Sequence, residues 1–343
     1  MHRIVIAFML AGAAAFAQTQ AGPIQSSKPA VQTHLDAAKA AAGTDFAGVY
    51  SRICREAVPP DPPPTPPQRG AAAAGRGRQS GPPSRESWHA DPVKVFDNLY
   101  FLGQTEFSVW AIKTSEGLIL IDAIFDYSVD DEVAGGLTTL GLDPKTIKYV
   151  IISHGHGDHS GGAKYLQDKF NARIVLTAAD WDLLDRSNGT KPRRDVIAKD
   201  GDVITLGDTT VLLYNTAGHT LGTLSAIFPV YDHGERHVVA TWGGTAFNWM
   251  GGSAAYITPE HPASFWFQTY SDSAERYKEI TKRVEADVLI SNHTIFDGSK
   301  TKLPALANRK PGQPNPYVIG VDGVQRYLTA VDECAQAGLA NQK

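Results

Sequence analysis

The sequence is poor in cysteine and carries no excess of positive charge. Past its first 17 residues it has no long apolar run either. The only cysteines are Cys54 and Cys334, and neither lies among clustered ligand-type residues, which argues against a catalytic thiol. In an oxidising compartment such an even pair permits a disulfide tying the segment around residue 54 to the C-terminal helix; the alternative is two separate buried thiols. The formal net charge of −4 gives no electrostatic case for nucleic acid as a partner. No run after residue 17 is long and apolar enough for a transmembrane helix, and no internal repeat is evident.

What is present first is a destination signal. Met1-His2-Arg3 is a short basic head, Ile4 to Ala17 is apolar and alanine-rich, and Ala15-Phe16-Ala17 is a small-x-small cleavage site. Residues 1–17 therefore read as a signal peptide, and the mature chain as exported, periplasmic in a Gram-negative host. Residues 18–88 read as an N-terminal extension, with weak helical periodicity around Val31 to Ala42 and a proline-rich linker from Pro59 to Arg85. Residues 89–343 have the composition of a globular catalytic domain.

That domain is organised around Ser153-His154-Gly155-His156-Gly157-Asp158-His159-Ser160-Gly161-Gly162, which follows the β-branched run Lys148 to Ile152. The run reads as a buried strand and Ala163 to Phe170 as the helix after it. Three imidazoles and a carboxylate within six residues form a costly cluster unless a cation orders it, and they are the donors Zn²⁺ favours. Gly155 and Gly157 remove bulk so that the turn can aim several side chains at one point. Strands are expected at Phe107–Lys113, Leu118–Asp122, Arg173–Thr177, Val203–Leu206, Thr210–Tyr214, Leu224–Pro229, Val238–Thr241 and Val288–Ser291. Helices are expected at Asp130–Leu140, near Ala179–Leu184, and at about Ala263–Val284. Two βα-rich halves with ligand loops at one edge imply an α/β fold, an αβ/βα sandwich of two mixed sheets flanked by helices.

His154-x-His156-x-Asp158-His159 resembles the signature of the metallo-β-lactamase fold superfamily. Leu118 to Asp122 resembles the strand whose terminal Asp braces the metal loop. Gly218-His219-Thr220-Leu221-Gly222 resembles the segment carrying a further ligand, and Ile290-Ser291-Asn292-His293 the last-strand histidine. The resemblance implies two zinc ions per chain, one on His154, His156 and His219, the other on Asp158, His159 and His293. It also implies a metal-bound hydroxide as nucleophile, oriented by Asp158 as the catalytic carboxylate. Asp122 would fix ligand geometry without touching metal. His2 goes with the signal peptide; His34, His89, His233, His237 and His261 read as solvated surface residues.

One departure narrows the resemblance. Glyoxalase II-type thioesterases of this superfamily place a metal-bridging Asp where this chain has Gly244, and subclass B1 enzymes use a Cys that is missing here. The remaining ligand set resembles subclass B3 metallo-β-lactamases. B3 enzymes carry serines near that strand end, against the drug's carboxylate, whereas Gly244 and Ala246 stand here; Trp242, Phe247, Trp249 and Met250 supply either an apolar substrate wall or ordinary packing. The expected activity is β-lactam amide opening on a small-molecule substrate. The alternative is a lactonase or esterase on the same scaffold, and a non-catalytic zinc-binding module is disfavoured by the open coordination position.

Overall fold

The computed structural model describes residues 24–59, 81–251 and 256–343; the signal segment 1–17 and the linker residues 60–80 lie outside the described residues. Two sheets face each other. The first runs in order β1 (Val93–Lys94), β2 (Leu99–Gly103), β3 (Ser108–Thr114), β4 (Gly117–Ile121), β5 (Ile147–Ile151), β6 (Arg173–Thr177) and β7 (Val196–Ala198). It is antiparallel from β1 to β4 and parallel from β4 to β7. The second runs β12 (Val288–Ser291), β11 (Glu235–Trp242), β10 (Leu224–Asp232), β9 (Thr209–Asn215) and β8 (Val203–Leu206), antiparallel except where β12 joins β11.

The period of two along the strands builds the layers. Phe101, Trp110, Ile119, Ile121 and Ile151 point between the sheets, where they meet Val211, Leu213, Phe228, Val239 and Ile290. Their neighbours Leu102, Val109, Leu120 and Val150 point outward and are covered by Leu137, by Leu166 of α3 (Ala163–Phe170) and by Trp181. Beyond the second sheet lie α5 (Ala263–Arg283) and α7 (Gly320–Asn341), packed on Ala240, Trp242 and Leu289. This is the expected αβ/βα sandwich.

The segment ahead of the linker belongs to that outer layer. Val31, Leu35, Ala38 and Ala42 form one buried stripe on α1 (Pro29–Ala42), which packs with the helical turns at 47–57 against α7. Cys54 and Cys334 are joined in a disulfide, their Cα atoms 4.5 Å apart. The chain's two ends are thus fastened across 280 residues of sequence.

Several details depart from the sequence reading. Strand β10 continues past Pro229 to Asp232, because its partner β9 stops pairing at Ile227 and leaves the proline without a ladder bond to make on that side. The hairpin then turns at His233 and Gly234, both at positive φ. Strand β7 and helix α6 (Ser299–Ala307) were not anticipated. Trp242, Phe247 and Trp249 are fully buried in the α5–α7 layer, so packing and not a substrate wall accounts for them. His34, His89 and His237 are paired rather than solvated: His237 lies 2.6 Å from Asp287, His89 2.6 Å from the buried Glu132, and His34 2.7 Å from Glu333.

Two outcomes follow for stability. Replacing Cys54 and Cys334 together by serine should cost about 2–5 kcal/mol in chemical denaturation, as expected for closing a long loop; an unchanged midpoint would mean that packing alone holds residues 24–58. On α7, burial pushes the Asp332 carboxyl up to about 6, against the Ser271 hydroxyl that donates to it, with Glu275 and Glu333 adding repulsion. Between about pH 4 and pH 6 the folded chain keeps a proton here that the unfolded chain has released, so this group's contribution weakens as pH rises through that window. Asp332→Asn should therefore match the wild type near pH 4 and exceed it by about 1–2 kcal/mol at pH 7, after allowance for solvent screening.

Candidate metal centre

The site lies where β4, β5, β11 and β12 end together. Strand β5 delivers Ile152 to His156, the short helix α2 (Gly157–Ser160) carries Asp158 and His159, the turn after β9 carries His219, and the residue pair beyond β12 brings His293. Gly155 is required here, since a Cβ would meet the Asp180 carbonyl at 2.9 Å. Gly157 has open space around it, so the expected relief of bulk applies to the first glycine and not the second.

Asp122 is the brace. It sits at φ +66°, a conformation a non-glycine residue adopts at some cost, and it is completely buried. Its carboxylate accepts from the Ser153 amide at 2.7 Å, the Ser153 hydroxyl at 3.0 Å and His159 Nδ1 at 2.9 Å. Asn292 extends the frame by donating to Ser153 Oγ at 3.2 Å and to the Gly243 carbonyl at 2.8 Å.

These acceptors decide the tautomers. His154 Nδ1 lies 2.9 Å from the Gly243 carbonyl, and His219 Nδ1 contacts the Ala246 carbonyl at 2.5 Å. A carbonyl accepts only, so both Nδ1 atoms carry protons and both Nε2 atoms present lone pairs. Those two Nε2 atoms face each other at 3.0 Å, and His156 Nδ1 stands 3.1 Å from His219 Nε2. On the other flank His159 Nε2 is 3.2 Å from His293 Nε2 and 3.2 Å from Asp158 Oδ2, with His293 3.8 Å from the same oxygen. The His154 and His219 lone pairs, fixed this close, repel unless a cation lies between them. The donor set of five imidazoles and a carboxylate fits zinc.

Electrostatics favours the same state. Burial, reinforced by neighbouring imidazoles, holds His154 and His219 far below the ordinary histidine range. Burial brings His156 down to about 4 and His293 to about 3, so all four are neutral at pH 7, the state in which imidazole can donate to a metal. His159 is the exception: burial pulls it down, but Asp158 and Asp122 outweigh that and raise it to about 10. A proton there faces Asp158 and His293, where a bound cation would take its place. His154, His159 and His219 are buried while His156, Asp158 and His293 are partly exposed, so the latter three border the open side.

All six predicted residues therefore converge. Two further residues escaped the sequence reading. The Tyr256 hydroxyl lies 2.6 Å from His156 Nε2, on the side turned away from the cluster. Asp180, in α4 (Ala178–Arg186), accepts at Oδ2 from the Gly155 amide and the Thr220 hydroxyl, both at 2.8 Å, and at Oδ1 from the Gly222 amide at 3.0 Å. One buried carboxylate thus clamps the loop between His154 and His156 to the turn that carries His219. Thr177-x-x-Asp180 reads locally as a helix cap, and that reading hides the longer reach.

Fold and donor cluster together are those of a hydrolase with the metallo-β-lactamase fold. Residues 107–232, from the start of β3 to the end of β10, match the metallo-beta-lactamase superfamily model. Among solved structures, the subclass B3 metallo-β-lactamase BJP-1 of Bradyrhizobium japonicum superposes with a TM-score of 0.60 at 28% identity, over 75% of this chain and 96% of that one. The native FEZ-1 metallo-β-lactamase from Legionella gormanii superposes at 0.61 with 22% identity, over 70% and 91%, a likeness of fold. Among curated proteins, a hydroxyacylglutathione hydrolase of Rhodopseudomonas palustris (strain BisA53) is 34% identical over 102 residues, which is 29% of this chain and 37% of the relative. One from Acidiphilium cryptum is 37% identical over 82 residues, 24% and 31%. The chain thus spans well under half the length of these curated relatives.

Asp180→Asn keeps the shape but turns one acceptor into a donor facing an amide or a hydroxyl. Zinc affinity of the His154, His156 and His219 set should fall about 10–100-fold in chelator competition, while the ion-free protein keeps its circular dichroism. Unchanged affinity would show the clamp to be irrelevant to the donors.

Proposed function

We propose that the protein is an exported dizinc hydrolase that opens β-lactam amides in the manner of subclass B3 enzymes. One ion would be held by His154, His156 and His219, the other by Asp158, His159 and His293. The observation that carries this reading is the absence of a bridging carboxylate together with the absence of room for one. A Cβ on Gly244 would meet the His219 side chain at 2.5–2.9 Å, so the Asp that glyoxalase II-type enzymes place there cannot be accommodated. The likeness to BJP-1, over three-quarters of this chain, supports the same choice. The small-x-small site at residue 17 and a disulfide between the chain's only two cysteines support export.

Bound zinc supplies Lewis acidity, which polarises a substrate carbonyl and acidifies a water. The chain's own residues do the rest. Asp158, partly exposed on the open side, accepts a proton from the attacking water and holds it near the leaving nitrogen. Asp122 keeps His159 in a fixed orientation, as the Gly243 and Ala246 carbonyls do for His154 and His219. Ester or lactone cleavage is the second reading, favoured by the missing serines at Gly244 and Ala246; the curated relatives, named hydroxyacylglutathione hydrolases, point away from amides in the same way.

The deciding experiment is turnover of a carbapenem, a cephalosporin, a lactone and a thioester by the purified mature protein, with and without chelator, beside its metal content. Chelator-sensitive β-lactam cleavage with two zincs per chain is expected. Zinc binding with turnover of lactone or thioester alone would replace the first reading by the second. Asp158→Asn should lose on the order of 10²-fold or more in kcat with its fold intact, and wild-type turnover in that variant would refute its assigned role. His156→Ala should release the ion it helps hold, seen as a lower zinc count.

A further inference from the structure

Beside the first donor set lies a recess of about 220 Å³, walled by Leu183, Arg186, Leu221, Tyr256, His261 and Trp266. It adjoins the site through Tyr256, whose hydroxyl touches His156, and through Thr220, the neighbour of His219. Its floor is rigid. The Trp266 indole donates to the Tyr256 carbonyl at 3.0 Å, and the two rings meet edge to face at 5.6 Å. Pockets that enclose a whole ligand run to about 300–1,000 Å³, so this one has room for only part of a drug-sized molecule.

The recess has two charged residues in its lining, Arg186 and Asp180, and only the first is exposed. Arg186, at the last turn of α4, is exposed and has no hydrogen-bond or ion-pair partner among the described residues. The carboxylate in the wall, Asp180, is buried, and both its oxygens are already taken by Gly155, Thr220 and Gly222. Arg186 therefore keeps its planar fork of donors for a guest, and a guanidinium binds a carboxylate through two parallel hydrogen bonds. Leu183, Leu221 and the aromatic rings offer the rest of that guest an apolar bed.

We propose that this recess is the specificity pocket of the site, and that it takes an aromatic or branched aliphatic arm ending in a carboxylate, with Arg186 as the anion contact. The proposal rests on the hydrolase reading for its biological meaning and names the substrate class: acyl compounds with a free acid on the side of His156.

The test is binding, independent of turnover. Phenylacetate and its neutral isostere phenylacetamide are titrated calorimetrically into the zinc-loaded protein and into Arg186→Ala, a change at an exposed helix end. The acid is expected to bind the wild type at least tenfold more tightly than the amide, and Arg186→Ala to abolish that preference with little effect on the amide. Arg186→Lys should restore part of it, because charge returns without the fork. Equal binding of acid and amide, or an acid preference that survives Arg186→Ala because the ion alone provides it, overturns the proposal. Should the wild type cleave no β-lactam, lactone or thioester and still show the Arg186-dependent preference, the proposed reaction fails while the pocket stands.

Discussion

The site at the sheet ends is arranged around a repulsion that only a cation removes. The Nε2 lone pairs of His154 and His219 confront each other at 3.0 Å, each fixed there because its other ring nitrogen donates to a carbonyl that can do nothing but accept. Burial forbids the usual escape of protonating one of them. A pair of imidazoles left to themselves would swing apart. Here they are held by the backbone carbonyls of Gly243 and Ala246, in the segment that follows β11, so the second sheet and its loop act as the restraint.

Two buried carboxylates divide the remaining work of alignment, and neither belongs to the predicted ligand set. Asp122 joins the end of β4 to Ser153 and His159, which locks the loop after β5 against the first sheet. Asp180 joins the same loop, at Gly155, to the turn bearing His219. One works within a sheet and the other between elements of the two halves. Together they account for a long polar loop that can be buried at all: its amides and hydroxyls find acceptors in the protein rather than in water.

The N-terminal helix and the disulfide serve a different need. Helices α5 and α7 cover the outer face of the second sheet, and α7 in turn presents an apolar stripe that α1 covers. The disulfide pins this outer layer where chain ends would otherwise fray. The aromatic residues after β11 are absorbed into that layer: Phe247 donates its amide to Glu56, and the Trp249 indole donates to the Gly218 carbonyl next to His219. The outer layer thus touches the segment carrying a candidate ligand without supplying one.

Architecture and donors were legible in the order of the residues. Strand and helix periods are local properties, and the His154 to His159 run is short enough that one strand end and one turn place most of it. Strands β6, β8 and β12 fall where their β-branched runs predict, and α1 follows the spacing of Val31, Leu35, Ala38 and Ala42. Which side chains hold the donors still, and what surrounds them, emerged only from the packed molecule. Asp180 reaches 25, 40 and 42 residues along the chain to its three partners, while locally it looks like a helix cap. Tyr256 meets His156 across 100 residues, and His237 is buried because Asp287, 50 residues away, receives it. Such contacts depend on how the two sheets are brought face to face, and a pattern confined to neighbouring residues carries no record of that distance.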